Sequence, residues 1–558
     1  MIKKIFIPLL AILVLVAAYA VWSLKDTGPA DAAELVPAEA VAFACIPDLP
    51  RTASRWPKTT LAKIGAEPEV KAFLERPLQY LTSDHGGSEA AGILWKLKPG
   101  RIFGAVVSVT SNDATILVGF QFWGGKSGHD LAVARLREEL SKGGAPSELV
   151  RESYNGVDIV SSKHGAHTLY NASEGQWGFL SNNLATIKDA LDRASGRKKE
   201  GNLAASTGYK AVLEKLLKDP DFLFFCQPQA ALATLLEVGA SLGAKPIPQQ
   251  VEQLKKVEAV GATTTLDGAN LRDRIFILRR NPPGIGTLSH HGMKLTSPET
   301  IAYFDFASDF RQISTATSNA ITAGLVDAQA IGNSRLPRLI PEGFGPDCAI
   351  SISWTPEQMT PAGVIALQIK DQAKADEAVQ EALSLLPEAS VTESEGVRYI
   401  SFPSLQSPFA NPTLAMIDGF LVLGVSSGEL SQAMQSFKSG QTLDKVPAFA
   451  AAETAYRTAN EVFGYVDTKR LVERSYPQLR QIIIFGAAIM PGVSDIIDGS
   501  KLPETETIAR HLQPIVYGQT RIPEGYLIES SGPITMNHAF LIAAAAGASL
   551  FKPATTGP

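Results

Sequence analysis

The sequence predicts an α+β fold: two tandem, duplicated domains, each with antiparallel hairpins and inserted helices, behind an N-terminal hydrophobic helix. Three observations predict it. The signals of residues 34–280 recur in the same order in residues 294–533, at offsets of 240 to 260 residues. Strand-like runs are joined mostly by short polar or glycine turns, which favour antiparallel pairing. Apolar residues at three- and four-residue spacing then mark helices between the strand pairs.

The first 24 residues are the clearest targeting signal. Met1-Ile2-Lys3-Lys4 precedes an uncharged, mostly apolar run from Ile5 to Leu24. The two lysines favour a cytoplasmic start, so the remainder is expected to be exported. Two readings stay open. The run is long enough to span a bilayer, with Tyr19 and Trp22 where interfacial aromatics belong. Equally, Ile5–Ala17 is a normal signal-peptide core and Ala18-Tyr19-Ala20 a cleavage site. Either way the membrane is an expected partner, through residues 5–24. The expected location is the cell envelope: inner-membrane anchored and facing the periplasm, or free in the periplasm after cleavage at Ala20. No Cys ends the apolar run, so a lipoprotein anchor is not indicated.

After a linker at 25–33, the two copies run in parallel. Glu39, Val41, Ala42 and Phe43 map onto Glu299, Ile301, Ala302 and Tyr303 at one offset. Val70, Phe73, Leu74, Leu78 and Leu81 mark a helix. Paired strands follow at Ile102–Val109 and Thr115–Phe122, with counterparts at Ala349–Trp354 and Gly363–Ile369. Helices follow each pair, carrying Leu131, Val133, Leu136 and Leu140, then Ala375, Ala378, Val379 and Leu383. Asn155-Gly156 predicts a tight turn, matched by Gly396. Strands Gln176–Ser181 and Phe420–Val425 each lead into a helix, and Asp221–Cys226 pairs with Glu461–Asp467. Gly261 and Gly268 bracket a last hairpin, as do Gly518 and Gly525. Residues 281–293 form a Pro/Gly-rich linker. Past 533, residues 534–558 hold an apolar segment too short to span a membrane and a tail expected to fray.

Composition narrows the function classes. The chain has 558 residues, 45% of them hydrophobic and 19% charged, with a net charge of −5. That suits two globular domains and leaves no concentrated basic face for nucleic acid. Cys45, Cys226 and Cys348 are too few and too far apart for a disulfide framework; each falls in an apolar strand-like run and reads as a small buried side chain, while a Cys45–Cys226 bridge stays open. The one catalytic candidate is Ser426, in Gly424-Val425-Ser426-Ser427-Gly428 between a strand and a helix, with Asp467 or Asp495 and then His511 following in hydrolase order. Against it, Ser426 with Glu429 reads as a capping box. His164 with His167, and His290 with His291, are expected at exposed turns rather than as metal ligands. Neither a metal nor another cofactor is expected. Carboxylates such as Glu138-Glu139 read as a solvated helix face. The apolar runs Ala230–Ala244 and Ile482–Met490 read as packed helices, and an exposed version would be a partner or lipid contact.

The N-terminal apolar segment, the Leu35-Val36-Pro37-Ala38-Glu39 opening and the repeated Gly-Val hairpins before Ala-rich helices resemble a family of uncharacterised bacterial envelope proteins. Its members occur in planctomycetes and verrucomicrobia, and they are grouped as a domain of unknown function. The likeness runs from Ile2 to about Phe551. It implies an exported, membrane-associated protein and carries no catalytic residues across. The leading expectation is therefore a non-enzymatic binding or scaffold module for an envelope ligand or protein. The alternatives are an exported serine hydrolase acting through Ser426 and a self-associating structural envelope protein.

Overall fold

The structure is a computed structural model. It describes residues 31–83, 99–110, 113–122, 149–164, 167–241, 248–284, 286–307, 334–356, 358, 360–385, 388–394, 396–403, 411–417, 419–489 and 496–539. The expected membrane segment, the helix around Leu131–Leu140, Glu138-Glu139, Asp495 and most of the C-terminal apolar segment lie outside these residues. Among the described residues no helix is long and apolar enough to cross a membrane. The chain divides into two compact units: residues 1–282 with 483–504 and 522–527, and residues 283–482 with 505–521 and 528–558.

The first unit is built on ten strands: β1 (Ala42–Ile46), β2 (Pro99–Val109), β3 (Ala114–Phe122), β4 (Leu149–Tyr154), β5 (Val157–His164), β6 (His167–Glu174), β7 (Trp177–Ser181), β8 (Phe222–Cys226), β9 (Ala259–Asp267) and β10 (Asn270–Leu278). Antiparallel pairing orders them β4-β5-β6-β7-β3-β2-β1-β8-β9-β10. The turns follow from local chemistry. Asn155 and Gly156 take φ of 51° and 79°, the left-handed values a two-residue hairpin needs. Asn183 caps helix Leu184–Ala194 by accepting from Thr186 N at 3.1 Å. One sheet face buries Phe43, Phe103, Phe179, Phe225 and Phe276 against that helix and helix Thr207–Lys215. The other buries Ile46, Leu49, Ile102 and Phe120.

The second unit contains β11 (Thr300–Ala307), β12 (Phe344–Ser353), β13 (Ala362–Ile369), β14 (Ser390–Ser394), β15 (Val397–Ser401), β16 (Thr413–Ile417), β17 (Phe420–Gly424), β18 (Val462–Val466) and, apart from residues 522–527, β19 (Ile515–Ile522) and β20 (Gly525–Gly532). Their order is β14-β15-β16-β17-β13-β12-β11-β18-β19-β20. Strand for strand this is the order of the first unit. Tyr303, Phe449, Phe463 and Tyr465 fill one face. Leu336, Leu339, Phe344 and Cys348 fill the other. The class is α+β.

Buried acids occupy matching places at the heads of β8 and β18. Asp221 accepts from Thr52 Oγ1 and Leu266 N at 2.8 Å and from Arg55 Nη1 at 3.0 Å. Glu461 accepts from Gln519 Nε2 at 2.9 Å, with Arg521 Nε 3.6 Å away. Buried carboxylates persist only where such donors replace water.

The structure fills out two of these readings and corrects a third. Within the 281–293 segment Leu288 is buried in the second core, as is Leu295 just past it, because helix His291–Leu295 lies on that sheet. Cys45 and Cys226 are free thiols. Register sets Cys45 opposite Leu223 and Cys226 opposite Ala42, so they sit three rows, or about 10 Å, apart along the sheet, too far to bridge. In helix Thr468–Ile489, Leu479, Ile482, Phe485 and Ile489 are exposed rather than packed.

Gly119 on β3 faces the ring of Phe103, and a Cβ there would lie 2.1 Å from Phe103 Cε1. Gly119→Ala is therefore expected to destabilise the first unit by about 1–3 kcal/mol. The check is its urea unfolding midpoint, with Gly65→Ala, where nothing lies within 4 Å of the added Cβ, as the control.

Candidate functional site

The serine motif of the second unit serves the helix that follows it. Ser426 is extended, with φ −148° and ψ 172°, at the start of helix Ser427–Ser439. Its Oγ accepts from Gly428 N at 3.2 Å, and its own N–H donates to Glu429 Oε2 at 2.5 Å. The hydroxyl also donates to that carboxylate. This is the reciprocal capping box, worth about 1 kcal/mol to the helix. Asp467 is engaged likewise: its carboxylate accepts from Arg470 N at 3.0 Å at the head of helix Thr468–Ile489. His511 Nε2 accepts from Arg510 Nε at 3.4 Å. The polar partners of Ser426 are Gly428 and Glu429, so Asp467 and His511 are not brought to it. Beside the cap, Ser297, Ser351, Ser353, Glu429 and Gln432 line a cavity of about 10 Å³, room for one water and no larger ligand.

The concentrated buried charge lies elsewhere in the second unit, where β11 and β12 run under the 289–295 segment. Asp305 on β11 and Asp347 on β12 are 1% and 2% exposed. Antiparallel register sets Asp305 opposite Ala349 and Ala307 opposite Asp347, which places both carboxylates on the face carrying Tyr303. The chain crossing that face supplies their partners. Ser289 N donates to Asp347 Oδ2 at 2.7 Å, and the Ser289 hydroxyl donates to the same oxygen. His290, held at φ 57°, places Nδ1 3.4 Å from Asp305 Oδ2 and stacks edge-on to Phe463 with 5.8 Å between ring centroids. The Tyr303 hydroxyl, Asp347 Oδ1 and the Asp305 oxygens are buried without a hydrogen-bond partner among the described residues.

The electrostatics follow from this enclosure. The Asp305 carboxylate raises the His290 pKa above its ordinary value, more than partial burial lowers it. Burial foremost, and then Asp347, raises the Asp305 pKa above its ordinary value despite His290. Burial also pushes the Tyr303 hydroxyl well above its usual value and the Cys348 thiol up to about 12. A largely covered imidazole set beside two buried aspartates orients the segment crossing the sheet. It is an ionic clasp.

His290 does not lie at an exposed turn: its ring is largely covered, between Asp305 and Phe463. The two aspartates escape attention in the sequence because each is a single acid in an apolar run, Tyr303-Phe304-Asp305-Phe306 and Asp347-Cys348-Ala349. That isolation was the available signal, since a charge in a buried strand demands a partner. His164 and His167 pair across the β5–β6 hairpin. No group of three or more His, Cys, Asp or Glu able to hold a metal ion occurs among the described residues.

Residues 132–288 match the model of a protein family described as a protein of unknown function, DUF3352. No curated protein matches the chain. Among solved structures, crystal form III of TP0453 is similar with a TM-score of 0.27 at 10% identity, covering 46% of this chain and 83% of that one. Crystal form I of TP0453 gives 0.19 at 7% identity, covering 74% and 98%.

The clasp has a pH signature. A folded-state His290 pKa raised above 6.5 contributes stability that is complete below that value and lost as pH rises through the folded pKa. A raised Asp305 acts in the same direction, its folded form favoured below its folded pKa and losing that advantage above it. Groups acting on the imidazole are Asp305, Asp347 and Glu453. The thermal-midpoint gap between wild type and His290→Gln is therefore expected to be widest near about pH 6 and to close by about pH 9. A gap constant with pH would mean that His290 acts only by packing.

Proposed function

We propose that this chain is an exported, membrane-associated protein of the cell envelope, a non-enzymatic binding or scaffold module held to the membrane through residues 5–24. The tether rests on Lys3, Lys4 and the apolar run that follows them. We read the two units as copies of one ancestral unit, supported by their common strand order and by the matching acids Asp221 and Glu461.

The observation that carries the binding function is a pair of equivalent open edges. β4 begins the strand order of the first unit and β14 that of the second, and among the described residues each pairs on one side only. Every residue of β14 is exposed, as is every residue of β4 before Tyr154. Val150 is 57% and Val391 50% exposed. An exposed edge offers a row of main-chain donors and acceptors to an extended segment, and alternate side chains on the added strand supply selectivity. The expected ligand is accordingly an extended polypeptide stretch, and the duplication gives one chain two such edges. Arg151 and Glu152 on β4 and Glu393 on β14 keep these edges from pairing indiscriminately.

Charge placed at the edge tests this. In fluorescence-anisotropy titrations of the full chain against a library of extended peptides, Val150→Lys with Val391→Lys is expected to weaken binding about tenfold or more. Binding untouched by the double substitution, or no peptide bound by wild type, would remove the basis for the edge-binding reading.

A further inference from the structure

Helix Thr468–Ile489 changes character at Pro477, which breaks its internal hydrogen bonding. Beyond it, Leu479, Ile482, Phe485 and Ile489 are spaced three, three and four residues apart and fall on one helical face. Ile482, Phe485 and Ile489 are 66%, 63% and 74% exposed, the highest values of any large apolar side chain among the described residues. Gln478 and Gln481 are exposed on the same side. A stripe of this kind is rarely left to water.

Charge and tether length decide between occupants. The helix carries Lys469, Arg470, Arg474 and Arg480 against one carboxylate, Glu473, although the whole chain is net negative at −5. Lys469 and Arg470 are paired with Glu473 and Asp467 at 3.9 and 3.5 Å, yet the helix keeps a net positive charge beside its bare apolar stripe, and that combination suits a bilayer interface with anionic headgroups. The second argument rests on the tether proposed above. The described fold begins at Asp31, and residues 25–30 after the apolar run reach at most about 20 Å. The folded part therefore works beside a membrane rather than in open solvent.

We infer that the stripe Leu479, Ile482, Phe485 and Ile489 docks on an anionic lipid surface, as a second attachment that lays helix Thr468–Ile489 on the bilayer. Two weak attachments of one chain reinforce each other, as paired membrane anchors do. A second copy of the chain is the rival occupant.

The test uses the full chain with vesicles of phosphatidylcholine and phosphatidylglycerol, with Phe485 replaced by the photocrosslinker p-benzoylphenylalanine. Gln435, exposed on helix Ser427–Ser439, takes the same replacement as a control. Irradiation is expected to give a lipid adduct by mass at 485 and none at 435, with fewer adducts when phosphatidylglycerol is left out. Adding Ile482→Asp and Ile489→Asp is expected to lower the yield at 485 about tenfold. Chain-to-chain adducts at 485 would assign the stripe to self-association and overturn the inference. A chain that floats with the vesicles yet gives no lipid adduct at 485 would overturn it while leaving the tether standing. A chain that does not float would overturn both.

Discussion

Each unit depends on a middle strand that no tight turn ties to either strand beside it. β1 lies between β2 and β8, and β11 between β12 and β18. No hairpin joins either strand to its partners, so each must be held by what it buries. Phe43 and Tyr303 stand at the same register position and are almost wholly enclosed. Around Phe43 are Phe103 at 6.0 Å and Tyr209 at 6.2 Å; around Tyr303 is Phe449 at 5.7 Å, which also meets Tyr465 at 5.1 Å. Aromatic edges of this kind fix orientation as well as excluding water. The hairpin strands on either side add to a sheet whose centre these rings have already specified.

On one shared frame the two units have taken different chemistry. The place of Cys45 on β1 is that of Asp305 on β11, and Asp31, which caps helix Ala32–Leu35, stands where His290 precedes helix His291–Leu295. The first unit thus buries a thiol near a surface carboxylate, and burial keeps that thiol protonated. The second buries a carboxylate and brings an imidazole to it. An uncompensated acid there would be strongly destabilising, whereas a thiol needs no partner. Among the described residues the clasp is found in the second unit only.

Much of this was legible in the sequence wherever one local rule decides the outcome. Asn155-Gly156 allows few turns other than the one found, Ser426 with Glu429 forms the cap their spacing implies, and the short apolar run Gly363–Ile369 marks a strand. The remainder depends on tertiary placement. Nothing local distinguishes a Pro/Gly linker in solvent from one pressed against a sheet, so the burial of Leu288 and the covering of His290 could not be read. Leu479, Ile482, Phe485 and Ile489 have the spacing of a core face, and only the coordinates show that the face is bare. Asp305 and Asp347 lack a motif, since their partners come from a segment that folds over them.

Hydrogen exchange followed by mass spectrometry on the full chain tests most directly whether both units hang on their middle strands. Slowest exchange is predicted for Phe43–Ile46 with Phe222–Cys226, and at the corresponding places Tyr303–Phe306 with Val462–Val466, while Leu149–Tyr154 and Ser390–Ser394 exchange early. If Tyr303–Phe306 lost its protons as fast as Ser390–Ser394 while Phe43–Ile46 stayed protected, the two units would not share one architecture of stability, and the account would be contradicted.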